Sequence, residues 1–140
     1  MVKIFFLFMF LSLPFISGCR DYLNNIEYDK PPVLVTNSRN YSLSDTISIG
    51  FTNESNKTIY STEIVSYFEV KDNGVWNEYA NLVCETCSEL SIVKNETVSY
   101  KTRIITSPGT YRCATLYGKI AGLPLDSKSK VYSNEFTVTN

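Results

Sequence analysis

Residues 45–53 carry the clearest pattern in the chain. Ile47, Ile49 and Phe51 alternate with Ser48, Gly50 and Thr52, the period of a strand with one buried face. Residues 96–105 repeat it, with Val98, Tyr100, Thr102 and Ile104 on one side and Ser99, Lys101 and Arg103 on the other. Strands are also expected at residues 33–36, 58–60, 63–71, 75–79 and 110–117, and a last one over 131–139 with Tyr132, Phe136 and Val138 on one face. Turn chemistry separates them. Asn37 to Asn40, Asn53-Glu54-Ser55-Asn56-Lys57 and Ser107-Pro108-Gly109 are polar or breaker clusters. Asp72-Asn73-Gly74 is a hairpin signal, because Asn-Gly supplies positive φ at little cost. Residues 80–93 are the least periodic, and a short helix near 85–90 fits there as well as a strand. The sum is about eight short strands and no long amphipathic helix. That predicts an all-β, antiparallel sandwich.

The chain's start follows a different pattern. Lys3 precedes an apolar run over residues 4–13 broken only by Ser12, and Pro14 leads into small residues ending at Gly18. That order predicts a signal peptide over residues 1–18, since the run is too short to span a membrane. Ile16-Ser17-Gly18-Cys19 resembles the lipobox of bacterial lipoproteins, with Ile where Leu is usual. The resemblance implies cleavage before Cys19, fatty acylation of that residue, and attachment to a membrane through the lipid. Two or three acyl chains hold firmly where one holds only marginally. Residues 19–32 then read as a polar tether ending in Pro31-Pro32, and residues 33–140 as one domain. The expected location is the cell membrane or outer membrane, facing the periplasm or the exterior.

Composition narrows the chemistry. Residues 19–140 carry a net charge of −2, which excludes the basic surface that nucleic acid needs. The chain has no His, so Ser-His-Asp and Cys-His catalysis and His-ligated zinc are ruled out. The acidic residues form no motif and read as solvated surface groups. No catalytic residue, cofactor or metal is expected. Trp76, Tyr79, Tyr100, Tyr111, Tyr117 and Tyr132 suggest either a ligand-binding aromatic face or core and sheet packing, and their strand positions favour packing.

Cys84-Glu85-Thr86-Cys87 has three readings: a redox dithiol, a metal site completed by Cys113, and a structural disulfide in an oxidising compartment. The last is expected. In an extended segment Cys84 and Cys87 lie about 10 Å apart, too far to bridge. The expected cross-link therefore joins Cys84 to Cys113, with Cys87 as the alternative partner. Asn40-Tyr41-Ser42, Asn53-Glu54-Ser55, Asn56-Lys57-Thr58 and Asn95-Glu96-Thr97 fit the glycosylation pattern but read as turn residues in a bacterial envelope protein.

Several stretches resemble immunoglobulin-like domains of bacterial lipoproteins. They are Tyr41-Ser42-Leu43-Ser44-Asp45, the Ile47/Ile49/Phe51 strand with its turn, Gly74-Val75-Trp76, Pro108-Gly109-Thr110-Tyr111-Arg112, and Tyr132-Ser133-Asn134-Glu135-Phe136. Tyr111-Arg112-Cys113 also resembles the immunoglobulin corner, where Tyr precedes Cys by two. No Cys lies in residues 45–53, so the inter-sheet bridge of antibody domains cannot form. The resemblance implies a non-catalytic binding module for an envelope or extracellular protein, with residues 72–74 and 118–130 as contact loops. Residues 53–57 and 108–111 also resemble a proteinase-inhibitor family on the same sandwich, which implies protease inhibition as the alternative.

Overall fold

The structure is a computed structural model, which describes residues 29–84, 86–124 and 127–140. The lipidation residue expected at Cys19 lies outside the described residues. Among the described residues eleven strands run in chain order: β1 Val33–Thr36, β2 Asn40–Ser42, β3 Ile47–Thr52, β4 Ile59–Ser61, β5 Tyr67–Asp72, β6 Val75–Asn81, β7 Leu90–Ile92, β8 Thr97–Thr102, β9 Gly109–Tyr117, β10 Ser129–Tyr132 and β11 Phe136–Thr139. The fold is all-β and sandwich-like. The extra strands beyond the expected eight are pieces of three or four residues, too short to show a period. Residues 86–89 form a turn and irregular chain, so no helix forms in the described part of 85–90.

One sheet has the order β1-β3-β8, a second β2-β11-β9-β5-β6 with β10 also on β9, and a third pairs β4 with β7. All pairs are antiparallel except β2 with β11. β1 and β2 therefore serve different sheets. The alternation of β3 does what its sequence demands: Ile47, Ile49 and Phe51 are buried, and Ser48, Gly50 and Thr52 are not. They share one core with Leu34 of the neighbouring β1 and with Phe68, Tyr111, Cys113, Phe136 and Val138 from the facing sheet. Each large apolar side chain sealed there contributes roughly 1.5–3 kcal/mol. The final segment is two strands, not one. It breaks at residues 133–135, and Tyr132 is 41% exposed while Phe136 and Val138 are buried.

β5 and β6 meet in a two-residue turn. Asn73 (φ 48°) and Gly74 (φ 81°) both take the left-handed conformation that such a hairpin needs. Opposite Phe68 and Glu69, β6 carries one extra residue, Tyr79, and this bulge lets both Tyr79 and Ala80 pack against the core.

The turn at residues 53–57 is more than polar punctuation. Asn53 is fully buried. Its amide nitrogen donates to Lys57 O and Ile92 O at 2.8 Å each. Its carbonyl oxygen accepts from Ser55 N at 2.9 Å and Ser55 Oγ at 2.6 Å. The side chain thus ties β3, its turn and β7 together, and its amide has no hydrogen left for a glycan. Asn53→Ala removes a donor from Ile92 O and the acceptor of the Ser55 amide, while Lys57 O keeps the Ser55 hydroxyl. It is expected to destabilise the fold by about 3 kcal/mol in urea unfolding, whereas exposed Asn77→Ala changes stability by less than about 0.5 kcal/mol.

Candidate binding face

The hairpin register decides which side chains share the outer surface of the large sheet. Trp76 pairs with Lys71, Glu69 with Arg112, and Tyr67 with Ala114. On the other side of β9, Ala114 pairs with Tyr132 and Leu116 with Lys130. These positions alternate with the core-facing Phe68, Tyr111 and Cys113, so they point outward together. Ala114 and Leu116 are buried even so, because longer neighbours cover them.

Arg112 is the centre of this face. Its guanidinium lies 4.3 Å from the Trp76 ring centre and 3.9 Å from that of Tyr132. Its Nε and terminal nitrogen reach Glu69 Oε2 at 2.7 and 2.6 Å. Lys71 lies 5.2 Å from the Trp76 ring and 3.3 Å from Glu135. Lys130 lies 4.4 Å from Tyr67 and 5.7 Å from Tyr132, and among the described residues it meets no carboxylate at ion-pair distance. Cations therefore already occupy these ring faces, which leaves little room for a sugar to stack. What remains is a pre-ordered surface of Trp, Tyr and Arg, the residue types that dominate the energetics of protein interfaces. Sequence reasoning read Trp76 and Tyr132 as packing residues. It missed Arg112 and Lys130, because cross-strand pairing across four strands brings them between the rings.

The two loops expected to make contact lie at opposite poles. The Asn73-Gly74 turn extends past the Gly109 end of β9, and Gly118 follows its other end, about 30 Å away along the strand. They cannot form one small contact surface. The first of the described residues meet the domain at the Gly118 pole. Asp29 accepts from Asn56 N at 3.0 Å and pairs with Lys119, and Pro32 is buried. Hydrogen bonding to Lys119, then to Asn56, holds the Asp29 carboxyl below its ordinary 3.8, and Lys119 is raised in turn.

Tyr111 takes the corner geometry its sequence suggested. Its hydroxyl donates to Ser107 O at 2.8 Å, and its ring crosses Gly109, where a Cβ would lie 3.1 Å from a ring carbon. Of the residues that resembled a protease inhibitor, Tyr111, Asn53 and Ser55 are buried, whereas Glu54, Asn56, Lys57 and Pro108 are exposed.

The cysteines correct the expected pairing. Cys84 is bonded to Cys87, with Cα atoms 5.4 Å apart, and Cys113 is free and buried. The expectation assumed an extended segment, but the chain turns at residues 86–87 and closes the distance. Cys113 stays in the core behind β5, and burial pushes its thiol up to about 11. A bond across three positions adds only about 2 kcal/mol by loop closure, against roughly 3 for a bond from Cys84 to Cys113. Among the described residues no group of three or more His, Cys, Asp or Glu is placed to hold a metal ion.

The sequence matches no protein-family model and no curated protein. Among solved structures it is similar to a β-glucosidase from Listeria innocua. In complex with gluconolactone that enzyme aligns with a TM-score of 0.37 and 15% identity over 81% of this chain. In complex with glucose it aligns with a TM-score of 0.35 and 14% identity. The chain covers 16% of the length of that enzyme.

Arg112→Lys keeps the charge but loses the planar group that stacks between two rings. We expect a loss of about 1–2 kcal/mol in urea unfolding, and a smaller loss when Trp76 is already Ala, because the two side chains act together.

Proposed function

We propose that this chain is a lipid-anchored protein of the bacterial cell envelope whose immunoglobulin-like domain binds a protein partner without catalysis. The Trp76–Arg112–Tyr132 stack on an outer sheet face is the observation that carries the binding role. The anchor rests on the signal-like segment and lipobox ending at Cys19. The strand order supports the immunoglobulin-like reading. β1-β3-β8 corresponds to an A-B-E sheet and β11-β9-β5-β6 to G-F-C-C′, with a tyrosine corner at the start of β9.

Cys19 precedes Asp29 by ten residues, a reach of at most about 35 Å. On this reading the Gly118 pole faces the membrane and the Asn73-Gly74 turn points away from it. The Asp29–Lys119 pair favours that orientation at neutral pH. A depressed carboxylate stabilises the folded contact above its unfolded value of 3.8, and the contribution is lost as pH falls through the lower folded value.

Two results are expected. Cys19→Ala abolishes incorporation of a fatty-acid analogue. A photo-crosslinking residue at position 132 gives one discrete, saturable protein adduct in intact cells, and Arg112→Ala lowers its yield about tenfold or more. The same crosslinker at Ile120, 66% exposed at the other pole, gives none. Equal adducts at 120 and 132 would remove the binding face from the account.

A further inference from the structure

The Cys84–Cys87 bond contributes little as a staple, because it joins residues the turn already brings together. It follows β6 in irregular chain, with Cys87 exposed and Cys84 half-buried. A carboxylate sits beside it. Glu63 lies between β4 and β5, and its Oε2 is 3.5 Å from Cys84 N, a long contact that locates the group more than it binds it. Its other oxygen, Oε1, is buried and meets no hydrogen-bond donor among the described residues. Buried polar atoms are nearly always satisfied, so an orphan carboxyl oxygen next to a disulfide calls for an explanation. The Ser61 hydroxyl donates to Glu63 O at 2.6 Å, which fixes the backbone that carries this carboxyl. The Thr86 hydroxyl lies 4.0 Å from Cys84 Sγ, so polar groups cluster on the Cys84 side of the bond.

We propose that Cys84–Cys87 is a thiol–disulfide exchange site that takes the thiolate of a small thiol. The incoming thiolate attacks the exposed Cys87 Sγ. A bond forms between the two sulfurs, the Cys84–Cys87 bond breaks, and its electron pair leaves on Cys84 Sγ. The incoming thiol has already lost its proton to water. Cys84 gains one from water, passed on by the neighbouring Glu63 carboxyl. No further oxidant is needed, because one disulfide is exchanged for another. The reverse attack by Cys84 restores the bond and releases the small thiol. Cys113 takes no part, being sealed in the core with its thiol held protonated. The site lies at the Gly118 pole, away from the Trp76–Arg112–Tyr132 stack, and its chemistry needs neither the lipid anchor nor that stack.

Glutathione is the probe, applied to the full-length chain in detergent and read by peptide mass spectrometry after an acid quench. With oxidised glutathione, Cys84→Ser is expected to form one adduct at Cys87 at least about tenfold faster than Cys87→Ser forms one at Cys84. With reduced glutathione and the wild-type disulfide, Glu63→Gln is expected to slow opening by about tenfold and to flatten its pH profile. That is below the usual span of acid–base catalysis, because a thiolate already leaves well. Glu63→Asp keeps a carboxyl and is expected to recover part of the rate, which separates proton transfer from misfolding. Equal adduct rates at the two cysteines, or no adduct at either, would overturn the exchange site. A Glu63→Gln protein opening at the wild-type rate with an unchanged pH profile would overturn the role of Glu63.

Discussion

Two tyrosine hydroxyls hold the passage from one sheet to the other, and the rest of the structure depends on that passage. The chain leaves β8 in the three-stranded sheet and enters β9, the central strand of the larger one, through residues 103–108. Tyr111 donates to Ser107 O at 2.8 Å, and Tyr79 accepts from Thr106 N at 2.9 Å. The two rings meet edge-on at 5.2 Å, and Tyr111 stacks on Phe136 at 6.0 Å. Burial pushes the Tyr79 hydroxyl up, but hydrogen bonds with Thr106 and Ser107 outweigh it and leave it below its ordinary 10.0. Fixing this corner sets where β9 starts, and β9 pairs with β11, β5 and β10.

The same register carries the outer face. Once Tyr111 points inward, Arg112 must point outward, and its pairing with Glu69 places it between Trp76 and Tyr132. Core and surface are thus two readings of one alternation. A slip of one residue would bury the guanidinium and expose Tyr111, at a cost far above anything the face gains. The cations lie against rings and carboxylates, so the face is ordered as it stands. For the proposed binding role, that order would lower the entropy lost on contact.

Alternation made part of this legible from sequence. β3 and β8 carry full periods and stand where expected, and Asn73-Gly74 announces its turn because few residues accept positive φ. The corner was visible as Tyr111 two residues before Cys113. Three features were not legible. β2 and β7 are three residues long and hold no period. The burial of Asn53 depends on carbonyls that arrive from residue 92, and a local reading sees only a polar turn. The cysteine pairing turned on a backbone bend that the extended-segment reading left out. The outer face fell in the same gap: its aromatic residues were noted singly, and only strand order brings Arg112 between them.

A double-mutant cycle on Tyr79→Phe and Tyr111→Phe, followed by urea unfolding of the full chain, tests the central claim most directly. Each change removes one hydroxyl and leaves the ring. The account predicts a loss of about 1–1.5 kcal/mol from each, with a coupling above about 0.5 kcal/mol because both hold the same short passage. If both single variants stay within about 0.5 kcal/mol of wild type and show no coupling, the corner is not what holds the sheets in register.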